Sequence, residues 1–197
     1  MIKPFAEACD RNRAPILSVL QQLFSDRTAV LEIGSGTGQH AVFFAERMPH
    51  LVWHTSDLKE NHDGIKAWIH DAKLPNLCMP FHLDVNDAEW PEIIVDAVFS
   101  ANSLHIMHWN AVEKFFAGVS TLLQKEGKLV VYGPFNYRNQ YTSDSNARFD
   151  VWLKARDPQS GIRNFEDICD LATIAGMNFI EDYEMPANNR VLYWQKK

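Results

Sequence analysis

Apolar residues recur along the chain with two alternating periods, and the alternation predicts the elements. Residues 4–24 carry Ile16, Leu17, Leu20, Leu23 and Phe24 at helical spacing, which predicts a helix starting at Pro4 and bent or divided by Pro15. The apolar run Ala29–Ile33 predicts a strand. A glycine cluster follows, then a helix over Gln39–Arg47 with Ala41, Val42, Phe44 and Ala45 on its buried face. The pattern repeats as a second strand at Leu51–Ser56 ending at Asp57, a helix at Asp63–Lys73 and a third strand at Leu77–Leu83 ending at Asp84. A fourth strand is predicted at Asp96–Ala101, ending at Asn102. Ala111–Leu123 is amphipathic and stops at Glu126-Gly127, and Lys128–Tyr132 reads as a fifth strand.

Strands that alternate with helices at this spacing imply an α/β fold, a mainly parallel sheet with helices on both faces. The end of the chain breaks the rhythm. After a helix at Asn164–Ala175, Phe179–Glu184 and Arg190–Gln195 read as strands joined only by Met185-Pro186-Ala187-Asn188-Asn189. So short a connection has no room for a crossover helix, so these two strands form an antiparallel hairpin. The polar stretch 136–162 has no clear period, yet Phe149, Val151, Trp152 and Leu153 predict a loop plus a short helix packed on the body.

Composition narrows the class. The chain has 197 residues, 46% hydrophobic and 22% charged, which fits one globular domain over 1–197. A net charge of −6 argues against a broad nucleic-acid surface, which needs clustered Lys and Arg. Cys9, Cys78 and Cys169 are odd in number and far apart, as expected of reduced thiols in a cytoplasmic protein. The N-terminal residues are charged every few positions and no segment approaches 18 apolar residues, so neither a signal peptide nor a membrane span is expected.

The most informative stretch is Glu32-Ile33-Gly34-Ser35-Gly36-Thr37-Gly38-Gln39. Glycines at a strand-to-helix turn let the backbone approach a ligand closely. A dinucleotide fingerprint would place a third glycine at position 39, where Gln stands, and a Walker loop would need Gly-Lys-Ser/Thr, which is absent. The pattern of Glu32, Gly34, Gly36 and Gly38 resembles motif I of the class I S-adenosylmethionine-dependent methyltransferases. That resemblance implies a Rossmann-like seven-stranded sheet and a loop, with Ser35, passing under the methionine part of S-adenosylmethionine. It also implies that Glu32 assists through water or the ligand's amino group. Asp57, followed by Leu58, ends the second strand, where a carboxylate can accept both ribose hydroxyls. The resemblance places the Asp84 carboxylate beside the adenine amino group and the Val85 N–H beside a ring nitrogen. Each acid also has a plainer reading: Asp57 as a cap, Asp84 as a turn residue, Glu32 as the partner of a helix terminus.

The acceptor is less legible. The fourth strand ends Ser100-Ala101-Asn102-Ser103-Leu104-His105, so the Pro-Pro-aromatic motif of base amino-group methylation is missing, as is a Pro-Cys nucleophile. Methyl transfer asks a protein to hold the nucleophile in line, exclude water and accept a proton where one is present. The carboxyl ends of strands four to six therefore nominate Asn102, His105 and His108, then Tyr132, Phe135 and Tyr137, then Asn188 and Asn189. His105 is the first choice of base because imidazole titrates near neutrality, with Asn102 and Tyr132 beside it in the catalytic set and Asn102 also facing the cofactor. The alternative is that His105 and His108 open a helix, capping backbone or stacking on Trp109. No metal is expected. Arg11, Arg13, Arg156 and Arg163 are either clamps for an anionic substrate or ion-pair partners of Asp10, Asp150 and Asp157.

Several blocks together resemble a narrower group, the small uncharacterised methyltransferase-like family of bacteria and animals. They are Arg11-Asn12-Arg13-x-Pro15-Ile16-Leu17, the Glu32–His40 loop, Asn102-Ser103-Leu104-His105-Ile106, Tyr132-Gly133-Pro134-Phe135 and Ser145-Asn146-x-x-Phe149-Asp150. Arg156-Asp157-Pro158, Gly161-Ile162-Arg163 and Met185-Pro186-Ala187-Asn188-Asn189 complete the set. The expectation is methyl transfer to a small-molecule O, N or S nucleophile, in a pocket roofed by an N-terminal cap (1–27) and an insertion (136–162). The rival is a module that binds the cofactor without turnover and acts through a protein partner.

Overall fold

The computed structural model describes residues 3–197; Met1 and Ile2 of the expected N-terminal cap lie outside the described residues. The chain folds as two compact units that divide after Ser100. The first contains α1 (Glu7–Leu23), β1 (Ala29–Ile33), α2 (Gln39–Arg47), β2 (Val52–Asp57), α3 (His62–Ala72), β3 (Phe81–His82) and nearly all of β4 (Ala97–Ala101). β1 pairs in parallel with β2 on one side, Ala29 opposite Val52, and with β4 on the other, Val30 opposite Ala97. Its Val30, Leu31, Glu32 and Ile33 are all buried, as a strand covered on both faces requires.

Three expectations in this unit are corrected. Ala6 is extended and α1 begins only at Glu7. Pro4 lies outside the helix, its carbonyl accepting the Trp68 Nε1–H at 2.8 Å. Pro15 does not divide α1: the helix continues through it, with Ile16, Leu20 and Leu23 buried. The third strand shrinks from Leu77–Leu83 to Phe81–His82, because Pro80 has no N–H to give the ladder and leaves only an isolated bridge between Trp53 and Leu77. Asp84 consequently lies two residues past the strand.

The second unit contains α4 (Trp109–Leu122), β5 (Lys128–Gly133), β6 (Phe135–Asn136), α5 (Asp144–Arg156), β7 (Arg163–Asn164), α6 (Phe165–Ile174), β8 (Met177–Met185) and β9 (Asn189–Lys196). The terminal hairpin is as predicted. β9 runs antiparallel to β5, with Lys128 opposite Gln195, and antiparallel to β8. Its turn places Ala187 and Asn188 at positive φ. The strand order is β3-β2-β1-β4-β5-β9-β8, a seven-stranded, mostly parallel sheet of Rossmann-like type. The insertion carries a full 13-residue helix, α5, and is closed by a parallel ribbon of β6 and β7 that no sequence period announces. Among the described residues no helix is long and apolar enough to cross a membrane.

Candidate functional site

The loop between β1 and α2 is built around three positive-φ glycines, Gly34, Gly36 and Gly38. The N–H groups of Gly34 and Ser35 both donate to the Ser56 carbonyl at 3.0 Å, which staples the loop to β2. Gly38 and Gly36 are needed for different reasons. At Gly38 an added Cβ would stand 3.0 Å from the Ile65 Cα, so the glycine lets α3 approach. At Gly36 an added Cβ would meet no protein atom within 4 Å. Protein packing leaves open space there, and the glycine answers to the left-handed backbone at φ +57.

Two carboxylates close on this loop. Glu32 is 1% exposed and its Oε2 accepts the Ser35 hydroxyl at 3.0 Å and the Trp53 Nε1–H at 3.2 Å. Burial pushes its pKa up to about 7 against those two hydrogen bonds, with the Asp57 charge adding to the rise. Asp57, 8% exposed, accepts the Gly36 N–H on Oδ2 at 2.6 Å. Its Oδ1 accepts the Leu58 N–H at 2.7 Å and the Asn61 amide at 2.8 Å. A carboxylate offers roughly four acceptor positions, so about one, on Oδ2, is left over for a ligand hydroxyl. Asp84 is half-buried and folds its Oδ1 back on the Asn86 N–H at 2.9 Å, the turn geometry of its plainer reading. Val85 is buried beside it. Leu58 spends its N–H on Asp57 and is half-buried.

Sequence reasoning missed how the N-terminal segment seats on this loop. Gln39, at the position a dinucleotide fingerprint gives to glycine, is 2% exposed; its Oε1 accepts the Ala6 N–H at 2.6 Å and the Thr37 hydroxyl at 3.0 Å. His40 Nε2 meets Asn12 Oδ1 at 2.7 Å, and burial lowers that imidazole to about pKa 4. The Asn within Arg11-Asn12-Arg13 was the available signal. The flanking arginines follow the ion-pair reading: Arg13 pairs with Asp10 at 2.6 Å and Arg11 with Glu7 at 3.1 Å, with Glu7 in place of the expected Asp10.

In the second unit the segment after β4 carries the catalytic candidates. Asn102 takes φ +58 and gives its N–H to the Tyr132 carbonyl at 2.8 Å. Tyr132 itself is buried on β5. His105 is 6% exposed, its ring set edge-on to Phe149 at 5.3 Å. Burial, with the Arg163 charge, lowers its pKa to about 4, which corrects the expectation of near-neutral titration. His108 occupies the cap position of α4, where its Nε2 meets Asp157 Oδ2 at 2.6 Å. Phe135 is buried on β6, 2% exposed. Tyr137 stacks on Phe165 and donates its hydroxyl to Asp182 at 2.7 Å, and its pKa is raised by burial and that carboxylate. Asn188 is exposed at the hairpin turn with its carbonyl taking the Asn146 amide at 3.1 Å, and Asn189 donates to the Pro186 carbonyl at 3.3 Å. Arg156 lies over the Trp152 ring at 4.7 Å. Among the described residues no three His, Cys, Asp or Glu side chains converge as a metal-ligand group.

Residues 3–196 match the family described as protein of unknown function (DUF938). The chain belongs to that family. Solved structures share its fold at low sequence identity. An O-methyltransferase family protein from Burkholderia thailandensis matches the DUF938 chain with a TM-score of 0.85 at 18% identity, over 97% of this chain and 58% of that one. An O-methyltransferase family 2 protein from Planctomyces limnophilus, solved in complex with apigenin, gives 0.81 at 15% identity, over 94% and 56%. Human N-acetylserotonin methyltransferase in complex with S-adenosylmethionine gives 0.74 at 15%, over 93% and 55%. The DUF938 chain thus spans a little over half the length of each, and at these identities the likeness is one of fold.

Proposed function

We propose that this chain binds S-adenosylmethionine and transfers its methyl group to a small-molecule oxygen, nitrogen or sulfur nucleophile. The observation that carries the reading is what meets on one loop of the first unit. Gly36 presents backbone open to a close-approaching ligand, the buried Glu32 carboxylate forms no ion pair among the described residues, and Asp57 keeps an acceptor position beside Gly36. A buried carboxylate held only by neutral donors is complementary to a cationic ligand group. The likeness in fold to O-methyltransferases, and to a methyltransferase solved with S-adenosylmethionine, supports the same reading.

When bound, the cofactor supplies a methyl carbon activated by a sulfonium. Glu32 would hold the cofactor's amino group directly or through water, with Gly34, Ser35 and Gly38 shaping the loop. Asp57 would offer Oδ2 to the ribose hydroxyls, and Asp84 with the Val85 N–H would hold the adenine edge. On the acceptor side Asn102, His105 and Tyr132 orient the nucleophile, and His108, Tyr137, Asn188 and Asn189 recognise the rest of the molecule. The chain acts in the cytoplasm as one methyltransferase-like domain.

The test is turnover with methyl-labelled S-adenosylmethionine against fractionated metabolite pools. Label appearing in a small-molecule fraction supports the proposal. Cofactor binding with no label passed to any pool or lysate protein contradicts the transfer step and favours a binding module.

A further inference from the structure

Three sequence blocks that the cofactor loop does not explain converge on the backbone around His105. Arg163, on β7, donates Nε–H to the Leu104 carbonyl at 3.1 Å and Nη2–H to the carbonyls of Met107 and, at 3.0 Å, Gln159. The Gly161 N–H donates to the carbonyl of His105 itself at 2.9 Å. Asp157 holds His108. Asp150, 1% exposed, fixes the strand of chain that delivers these groups: its Oδ1 accepts the Ile162 N–H at 2.7 Å, while its Oδ2 accepts from Tyr141 at 2.7 Å and Lys154 at 2.6 Å. The histidine is therefore gripped through the carbonyls of Leu104, His105 and Met107, and its ring rests on Phe149.

This arrangement differs from the usual way of making a histidine basic. A basic imidazole is paired with a carboxylate that stabilises its protonated form. His105 forms no such pair among the described residues; burial is the first cause that keeps its ring neutral, and the charge that adds to it is the guanidinium of Arg163. The other charged groups packed into this corner are spoken for. Asp157 faces His108, Asp150 faces Lys154 and Tyr141, and both acids act on Arg163 rather than on the imidazole.

We propose that Arg163 is the positioning residue of His105: it fixes the histidine through the carbonyls on either side and sets a cation beside it, so that the imidazole serves the methyl acceptor as a neutral hydrogen-bonding group and not as a proton acceptor. The role in acceptor binding rests on the methyltransferase reading; the state of the ring does not. A consequence for substrate class follows. With no strong base at His105, the acceptor brings a lone pair already free at neutral pH, as a carboxylate, an acidic phenol, a thiolate or an unprotonated amine does.

The experiment is a proton NMR titration of the His105 ring in the full chain, comparing wild type, Arg163→Met and Arg163→Lys, with circular dichroism to confirm folding. The expected wild-type midpoint lies near 4, well below the ordinary 6.5. Arg163→Met is expected to raise it, though burial, the larger cause, keeps it below the ordinary value, and Arg163→Lys, which keeps the charge, to leave it low. A wild-type midpoint between pH 6 and 7 overturns the proposal, as does a methionine variant that leaves the midpoint unmoved or a rise of equal size in both variants. If the methionine variant does not fold, the lysine variant still decides, because a midpoint restored to the ordinary range there contradicts the role of the cation. None of these readouts needs turnover, so failure to bind S-adenosylhomocysteine would sink the methyltransferase reading while leaving the titration result standing.

Discussion

The Asp57 carboxylate accepts the Gly36 N–H at 2.6 Å, tying the end of β2 to the middle of the glycine loop. One side chain therefore both shapes the loop and presents an acceptor beside it. Replacing Asp57 by Ala removes charge-assisted hydrogen bonds worth roughly 1.5–3 kcal/mol, so affinity for S-adenosylhomocysteine is expected to fall about ten- to a hundredfold. Calorimetry on the folded variant checks this, and an unchanged dissociation constant means that Asp57 does not touch the ligand.

Gly36 and Gly38 are expected to separate binding from stability. Gly38→Ala forces a Cβ against the Ile65 backbone at 3.0 Å in a left-handed conformation, and is expected to lower the melting temperature by the equivalent of about 1–3 kcal/mol. Gly36→Ala carries the strain of its left-handed backbone but meets no protein atom, so its loss of stability stays at about 1 kcal/mol while cofactor affinity drops sharply. Thermal melts run with and without S-adenosylhomocysteine distinguish the two. Equal losses of stability in both variants would contradict the assignment of open space to a ligand.

Glu32 makes the stability of the protein depend on pH. Its carboxyl is raised from 4.5 to about 7 by burial, so the folded chain holds a proton that the unfolded chain has released between those values. The resulting stabilisation is complete below about pH 4.5 and is lost as pH rises through 7, a change on the order of 3 kcal/mol. Glu32→Gln lacks this titration. Denaturant unfolding at pH 5 and pH 8 is expected to show a steeper loss in wild type than in the variant, and parallel behaviour of the two would show that Glu32 ionises normally.

Much of the fold was legible because β1, β4 and β5 are largely apolar runs separated by helices of clear period, and the hairpin followed from the shortness of Met185–Asn189. What escaped has local physical reasons. Pro80 cut the third strand down to two residues, and strands as short as β6 and β7 leave no period to read. α5 was seen only as a short helix because its apolar residues do not share one stripe: Leu153 is buried while Val151 and Trp152 are exposed. At the site, Glu32, Gly36 and Asp57 were readable from type and spacing. The work of Arg163 was not, since it acts on the carbonyls of Leu104 and Met107, groups that every residue carries. The same holds for Gln39, whose partner is the Ala6 N–H.

The central claim is that the Glu32–Gly38 loop with Asp57 holds S-adenosylmethionine and not a nicotinamide dinucleotide. Isothermal titration of the purified chain with S-adenosylhomocysteine and, separately, with NADH tests it most directly. The account predicts saturable one-to-one binding of S-adenosylhomocysteine that is weakened in Asp57→Ala, and weaker or no binding of NADH. Tighter binding of NADH than of S-adenosylhomocysteine would contradict it.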